Sequence, residues 1–269
     1  LIRNVALKIE PTSDPKIVSV FGRGELHLSI LIENMRREGY GFCVGKPQVL
    51  RKKINGMYHE PYEYLVMDTL AEYQGKVMEI VGERQGVLQN VQQQGMERVK
   101  LEFIIPSRSL IGLRTEYLST TSGHGLMSSV FDSFKPSEET RIFSRANGVL
   151  VSNSPGKALA YSLFSLQNRG RLLIKPGEEI FEGMIVGIHK RNNDLTVNPM
   201  KAKQLTNVRA AGNDENIVLT PPIELDLEKA LEFISDDELV EVTPSGIRLR
   251  KRLLRETDRK TANRAAKRL

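Results

Sequence analysis

Residues 61–134, PYEYLVMDTLAEYQGKVMEIVGERQGVLQNVQQQGMERVKLEFIIPSRSLIGLRTEYLSTTSGHGLMSSVFDSF, hold one complete folding unit. Its clearest part is ERVKLEFII, 97–105, where Val99, Leu101, Phe103 and Ile105 alternate with Arg98, Lys100 and Glu102. A period of two places the apolar set on one face of a strand, so the sheet buries one side and leaves the other open. Around this strand, YEYLVMDTL reads as a strand, QGKVMEIVGERQ as a helix, GVLQNVQQQ as a strand, SRSLIGLRTEYLSTTSG as a helix and GLMSSVFDSF as a last strand. The order β-α-β-β-α-β predicts a ferredoxin-like domain. Ser107 is expected to cap its second helix and Gly123 to end it.

Working outward, IVSVF at 17–21 is a β-branched run, followed by the turn Gly22-Arg23-Gly24. Leu28, Leu31, Ile32 and Met35 then recur at helical spacing up to Gly39, and 46–54 read as a returning strand. Strand, helix and strand resemble the second half of a split βαβ unit, whose first half is expected ahead of Leu1. Downstream, KPSEE at 135–139 is a linker candidate. A third module follows, with strands expected at 147–153, 171–177, 178–190, near 216–220 and at 238–244, and helices at 155–170 and 225–234. Short mixed strands with few helices predict a β-rich α+β domain. The whole chain is therefore expected to be α+β, divided at 1–54, 55–136 and 137–269, since 269 residues exceed what one core comfortably holds.

With 40% hydrophobic and 27% charged residues and no long apolar run, the composition is that of a soluble globular protein. The single cysteine, Cys43, makes no internal disulfide, which fits a reducing cytoplasm, and is expected to serve as a small packing residue. No tryptophan and 6% aromatic residues argue against base stacking as the main route to nucleic acid, leaving phosphate contacts. The net charge is +6, but Ser245–Leu269 holds ten basic residues against two acidic ones and so carries +8, leaving −2 for the remainder. Such a terminus suits a polyanion. A solvated tail, or one folded onto the acidic stretch Glu224–Glu241, remains equally open. A second feature is the polar stretch 191–216, too long for a structureless connection in a compact domain unless it is functional or mobile. Lys190, Arg191, Lys201, Lys203 and Arg209 alternate there with Asn192, Asn193, Asn198, Gln204 and Asn207, which donate to phosphate, ribose and base edges.

No GxxxxGK[ST] phosphate loop occurs, and the nearest approach, Pro155-Gly156-Lys157-Ala158, reads as a glycine opening a helix. His27, His59, His124 and His189 are scattered and accompanied by no HExxH run, so no catalytic or metal-binding residue is expected.

GRGELHL, 22–28, resembles the segment opening the second helix of the third domain of elongation factor G, and 61–134 resembles its ferredoxin-like fifth domain. NGVLVSNSPGKALAYSLFSLQNRG, EGMIVGIHKRNNDLTVNPMKAKQLTNVRAAG and DDELVEVTPSGIRLRKRLL resemble the C-terminal domain of the BipA/TypA translational GTPases. The resemblance covers essentially the whole chain. It implies a monomeric, cytoplasmic, ribosome-binding factor of stress adaptation and large-subunit assembly, with no membrane association. The GTPase domain, with its GTP and Mg2+, would precede Leu1, so the chain itself is expected to hold no cofactor and to be no enzyme. Its partners would be large-subunit ribosomal RNA and A-site transfer RNA. By position, 190–212 matches the family's loop toward the peptidyl-transferase centre and the transfer RNA acceptor end. The RNA contacts implied are Lys190, Arg191, Asn193, Lys201, Lys203, Gln204, Asn207 and Arg209, then Arg248, Arg250, Lys251 and Arg252, then Arg108 and Arg114. The competing reading is a protein-interaction module using the ferredoxin sheet face or Glu224–Glu241, with its basic tail folded intramolecularly. A stand-alone hydrolase is disfavoured by the missing motifs.

Overall fold

A computed structural model describes residues 7–137, 145, 147–202 and 218–266. The chain is α+β, and its contacts gather it into two compact units, Pro47–Ser144 and a second made of Leu1–Lys46 with Arg145–Leu269. By contacts, the opening residues share a unit with the last module.

Before residue 47 lie strands β1 (Lys8–Pro11) and β2 (Val18–Phe21), helix α1 (Glu25–Arg37) and strand β3 (Phe42–Gly45). The spacing of Leu28, Leu31, Ile32 and Met35 does produce a helix, with Ile32 buried and Arg36 and Arg37 of its last turn bonding back to Glu33 at 2.8 and 2.9 Å. The returning strand is displaced from its expected place: it is Phe42–Gly45, and 46–51 form no strand. Phe42 and Val44 pack on a core that includes Ile32 and Val240, and this apolar pair fixes which residues enter the sheet.

The unit Pro47–Ser144 follows the expected order. It contains β4 (Lys52–Ile54), β5 (Met57–Leu70), α2 (Gln74–Glu83), β6 (Val87–Gln94), β7 (Arg98–Pro106), α3 (Leu113–Thr120) and β8 (Leu126–Pro136). β5 lies between β7 and β8, β6 flanks β7, and all these pairs are antiparallel. Leu65, Met67, Val99, Leu101, Phe103 and Ile105 bury against Val77, Val81, Leu113 and Tyr117 of the two helices, as the alternation predicts. The start of the second helix differs from expectation. Ser107–Leu110 form a 3-10 turn, and α3 begins after Gly112, whose φ of 73° breaks the helix, so Ser107 caps nothing. β8 runs through Lys135 and Pro136, the first part of the expected linker; Glu138 and Glu139 lie outside the described residues.

The second unit continues with β9 (Val149–Ser152), β10 (Gly156–Lys157), α4 (Ala160–Leu166), β11 (Gly170–Leu172), β12 (Glu179–Ile180), β13 (Ile185–His189), β14 (Leu195–Val197), α5 (Leu227–Phe233), β15 (Glu238–Thr243), β16 (Gly246–Lys251) and α6 (Glu256–Ala266). One sheet has the order β11-β13-β9-β14 and another β16-β15-β3. Val149, Val151 and Ile185 of the first join Val240, Val242 and Leu249 of the second in one core, while Leu150, Leu172 and Val186 face Leu163 and Leu166 of α4 in another. A sheet covered on both faces needs near-continuous apolar strands, which is what VLV at 149–151 supplies. The helix expected over 155–170 is shorter, because Gly156–Lys157 pair with Glu179–Ile180 as a strand. Val218–Thr220 form no strand.

Candidate nucleic-acid interface

The stretch from Arg191 to Lys201 is ordered and contains a strand. β14 adds to β9 in parallel, Leu195 opposite Leu150 and Val197 opposite Ser152. This corrects the expectation of an unstructured run, and it separates the candidates. Lys190, Arg191 and Asn193 precede β14 at one end of the sheet, whereas Lys201 follows it at the other, where the Asn153 N–H donates to the Val197 carbonyl at 3.0 Å. Lys203, Gln204, Asn207 and Arg209 lie outside the described residues.

The turn joining β13 to β14 is held from within. The His189 N–H donates to the Gly148 carbonyl, the Gly148 N–H to the Arg191 carbonyl, both at 2.8 Å, and the Lys190 N–H to the Arg169 carbonyl at 2.9 Å. His189, itself buried, meets the Asn193 carbonyl with Nδ1 at 2.6 Å. A carbonyl only accepts, so Nδ1 carries the proton. The Asp194 carboxylate accepts from the Val149 N–H at 2.9 Å. At Gly148 a Cβ would run into the Asn193 carbonyl group, so this approach requires glycine. With its backbone groups turned inward, the turn exposes the side chains of Lys190, Arg191, Asn192 and Asn193. The Asn193 amide donates to the Asp194 carbonyl at 3.2 Å.

Lys251 belongs to another class. It is 2% exposed, and its ammonium meets Asp194 at 2.6 Å, Asp237 at 2.8 Å and Glu238 at 2.9 Å. Burial alone would push the ammonium down, but these carboxylates outweigh it and hold its pKa above the usual lysine value. Glu238 is fully buried, and burial pushes its carboxyl up; Arg145, at 3.0 Å, and Lys251 outweigh this and hold it below the ordinary value. Sequence reasoning missed this network. Lys251 is therefore corrected from an RNA contact to an internal pin, consumed because its charge has no route to solvent. Arg248 stands opposite Glu241, and the Arg250 guanidinium donates to the Lys251 and Arg252 carbonyls at 3.2 and 3.4 Å. Arg252 is exposed next to the pinned lysine. The folded-tail alternative thus holds for Lys251, while Arg252, Arg255, Lys260 and Arg264 remain on the surface or partnered within α6, Lys260 pairing with Glu256 at 2.7 Å.

In the other unit, Arg108 is 11% exposed and pairs with the buried Glu60 at 2.7 Å, so its guanidinium is also spent internally; Arg114 is exposed on α3. Cys43 is exposed on β3 rather than packed, and partial burial raises its thiol, keeping it protonated. Gly156 and Lys157 sit in β10 and open no helix, so they do not cradle a phosphate. No group of metal-binding side chains occurs among the described residues, and no described helix is long and apolar enough to cross a membrane.

Comparison with known proteins returns two family models in succession: the elongation factor G C-terminus over residues 57–143 and the TypA/BipA C-terminal domain over 147–256. The large ribosomal subunit assembly factor BipA of Escherichia coli K12 is 54% identical over 267 residues, covering 99% of this chain and 44% of that protein. The proteins of the same description from Haemophilus influenzae and Buchnera aphidicola are 54% and 51% identical over 98% of the chain. The chain thus spans less than half the length of these relatives. The two family models follow one another along the chain and the 54% identity extends over nearly all of it: residues 57–143 belong to the elongation factor G C-terminal family and 147–256 to the TypA/BipA C-terminal domain family.

Proposed function

We propose that this chain is the RNA-binding C-terminal part of a ribosome-dependent translational GTPase that acts in assembly of the large ribosomal subunit. The observation that carries the reading is the 190–194 turn. Its Arg191 and Asn193 carbonyls are bonded inward, and the Lys190, Arg191, Asn192 and Asn193 side chains are left to solvent with no ion pair among the described residues. A turn whose backbone is fixed on folding presents two cations and two amides together, which fits phosphate and ribose contacts because the backbone entropy is not spent again in binding. The relatives' description as large ribosomal subunit assembly factors supports the choice of polyanion. Arg252, exposed beside the pinned Lys251, is assigned to the same surface. Following the family resemblance, the segment containing Lys203, Gln204, Asn207 and Arg209 is assigned to the acceptor end of A-site transfer RNA near the peptidyl-transferase centre. GTP and Mg2+ handling falls to residues outside this chain, the parent protein acts in stress adaptation, and the setting is the cytoplasm.

Cosedimentation with purified large ribosomal subunits tests this. Replacing Lys190 and Arg191 by alanine is expected to weaken binding at least several-fold and to flatten the dependence of log affinity on log salt by about 2, since each phosphate left without its cation lowers the slope by roughly one. Unchanged binding would remove the turn from the interface. A second reading, a protein-docking module, is favoured only by the internal use of Lys251 and Arg108, and it predicts capture of protein that resists ribonuclease.

A further inference from the structure

Strand β11 is an edge of its sheet and carries Arg171, with Arg169 in the turn just before it, two cations that the sequence motifs left unassigned. Its register with β13 sets Gly170 opposite His189 and Arg171 opposite Ile188, and the Lys190 N–H donates to the Arg169 carbonyl. Arg169, in the turn before β11, therefore stands across from Lys190, just past β13, and within β11 Gly170 and Leu172 turn inward while Arg171 is left exposed, as Arg169 and Lys190 are. All three cations are exposed, and none has an ion-pair partner among the described residues. Like charges directly opposed on neighbouring strands oppose pairing. The fold nevertheless holds them together tightly: a Cβ at Gly170 would collide with the Ile188 carbonyl, so only glycine lets the two strands close here. A repulsion that the scaffold enforces and does not neutralise points to an anion supplied from outside.

We propose that Arg169 and Arg171 form, with Lys190, a row of phosphate contacts along the β11 edge, so that an RNA strand is gripped beside the sheet as well as at the 190–194 turn. This rests on the RNA-binding reading above. The test is binding of the full chain to purified large ribosomal subunits across a salt series, comparing wild type, Arg169→Gln/Arg171→Gln and Lys190→Ala/Arg191→Ala, with thermal melts to verify folding. The first variant is expected to lower the slope of log affinity against log salt by about 2. Arg169→Lys/Arg171→Lys should retain the slope, because lysine serves phosphate as a point charge. If only the Lys190/Arg191 variant weakens binding, the β11 row is overturned and the RNA reading stands; if neither does, both fail. Self-association of the glutamine variant with undiminished binding would mean that the arginines merely keep copies of the chain from pairing here, which also overturns the proposal.

Discussion

Removing the Glu238 carboxylate would leave Lys251 and Arg145 facing each other without the anion that separates them. Glu238→Ala is expected to cost about 3–5 kcal/mol in urea denaturation, the range for breaking a buried pair from one side. Lys251→Met should cost less, because Glu238 keeps Arg145 and the Ser235 N–H, at 2.9 Å. The opposite order would contradict the assignment of Glu238 as the centre of the network. None of this was legible in the sequence. Lys251 sits in the run RLRKRLL and looks like any solvated cation, and its partner Asp194 comes from a distant polar stretch. The exposed cations of the turn were legible because their function needs only the residue types in one short segment. Their rigidity was not, since it depends on Gly148 and on the buried imidazole of His189.

At the scale of elements, local periodicity served well and nonlocal pairing did not. The β-α-β-β-α-β unit was readable because each strand and helix carries its own apolar period. β14, with the three residues LTV, is too short to show one, and it exists only because β9 offers a parallel partner. Deleting 191–212 would therefore strip a strand and the Asp194 contacts from the fold, and loss of binding after such a deletion would not implicate the loop; point substitutions are the proper probe. Helix α1 carries a second consequence. The Glu25 carboxyl is raised from 4.5 to about 7, first by burial and then by Glu232 and Glu228, both on α5. Between those values the folded chain holds a proton that the unfolded chain has released, so stability falls as pH rises from 4.5 to about 7 and levels off beyond. In thermal melts, the Tm of Glu25→Gln relative to wild type is expected to rise across this window in the variant's favour. A difference independent of pH would show that Glu25 titrates normally.

For the molecule as a whole, the excess of positive charge in the last residues is less informative than where the fold lets that charge remain free. Lys251 is consumed inside the fold, whereas Lys190, Arg191, Arg169, Arg171 and Arg252 reach the surface of the same unit. The central claim is that these cations meet RNA phosphate. It is tested most directly by titrating the wild-type chain onto purified large ribosomal subunits at increasing salt. Several phosphate contacts predict a steep linear fall of log affinity with log salt, of about one per contact. A flat dependence, with binding that survives ribonuclease, would contradict the account.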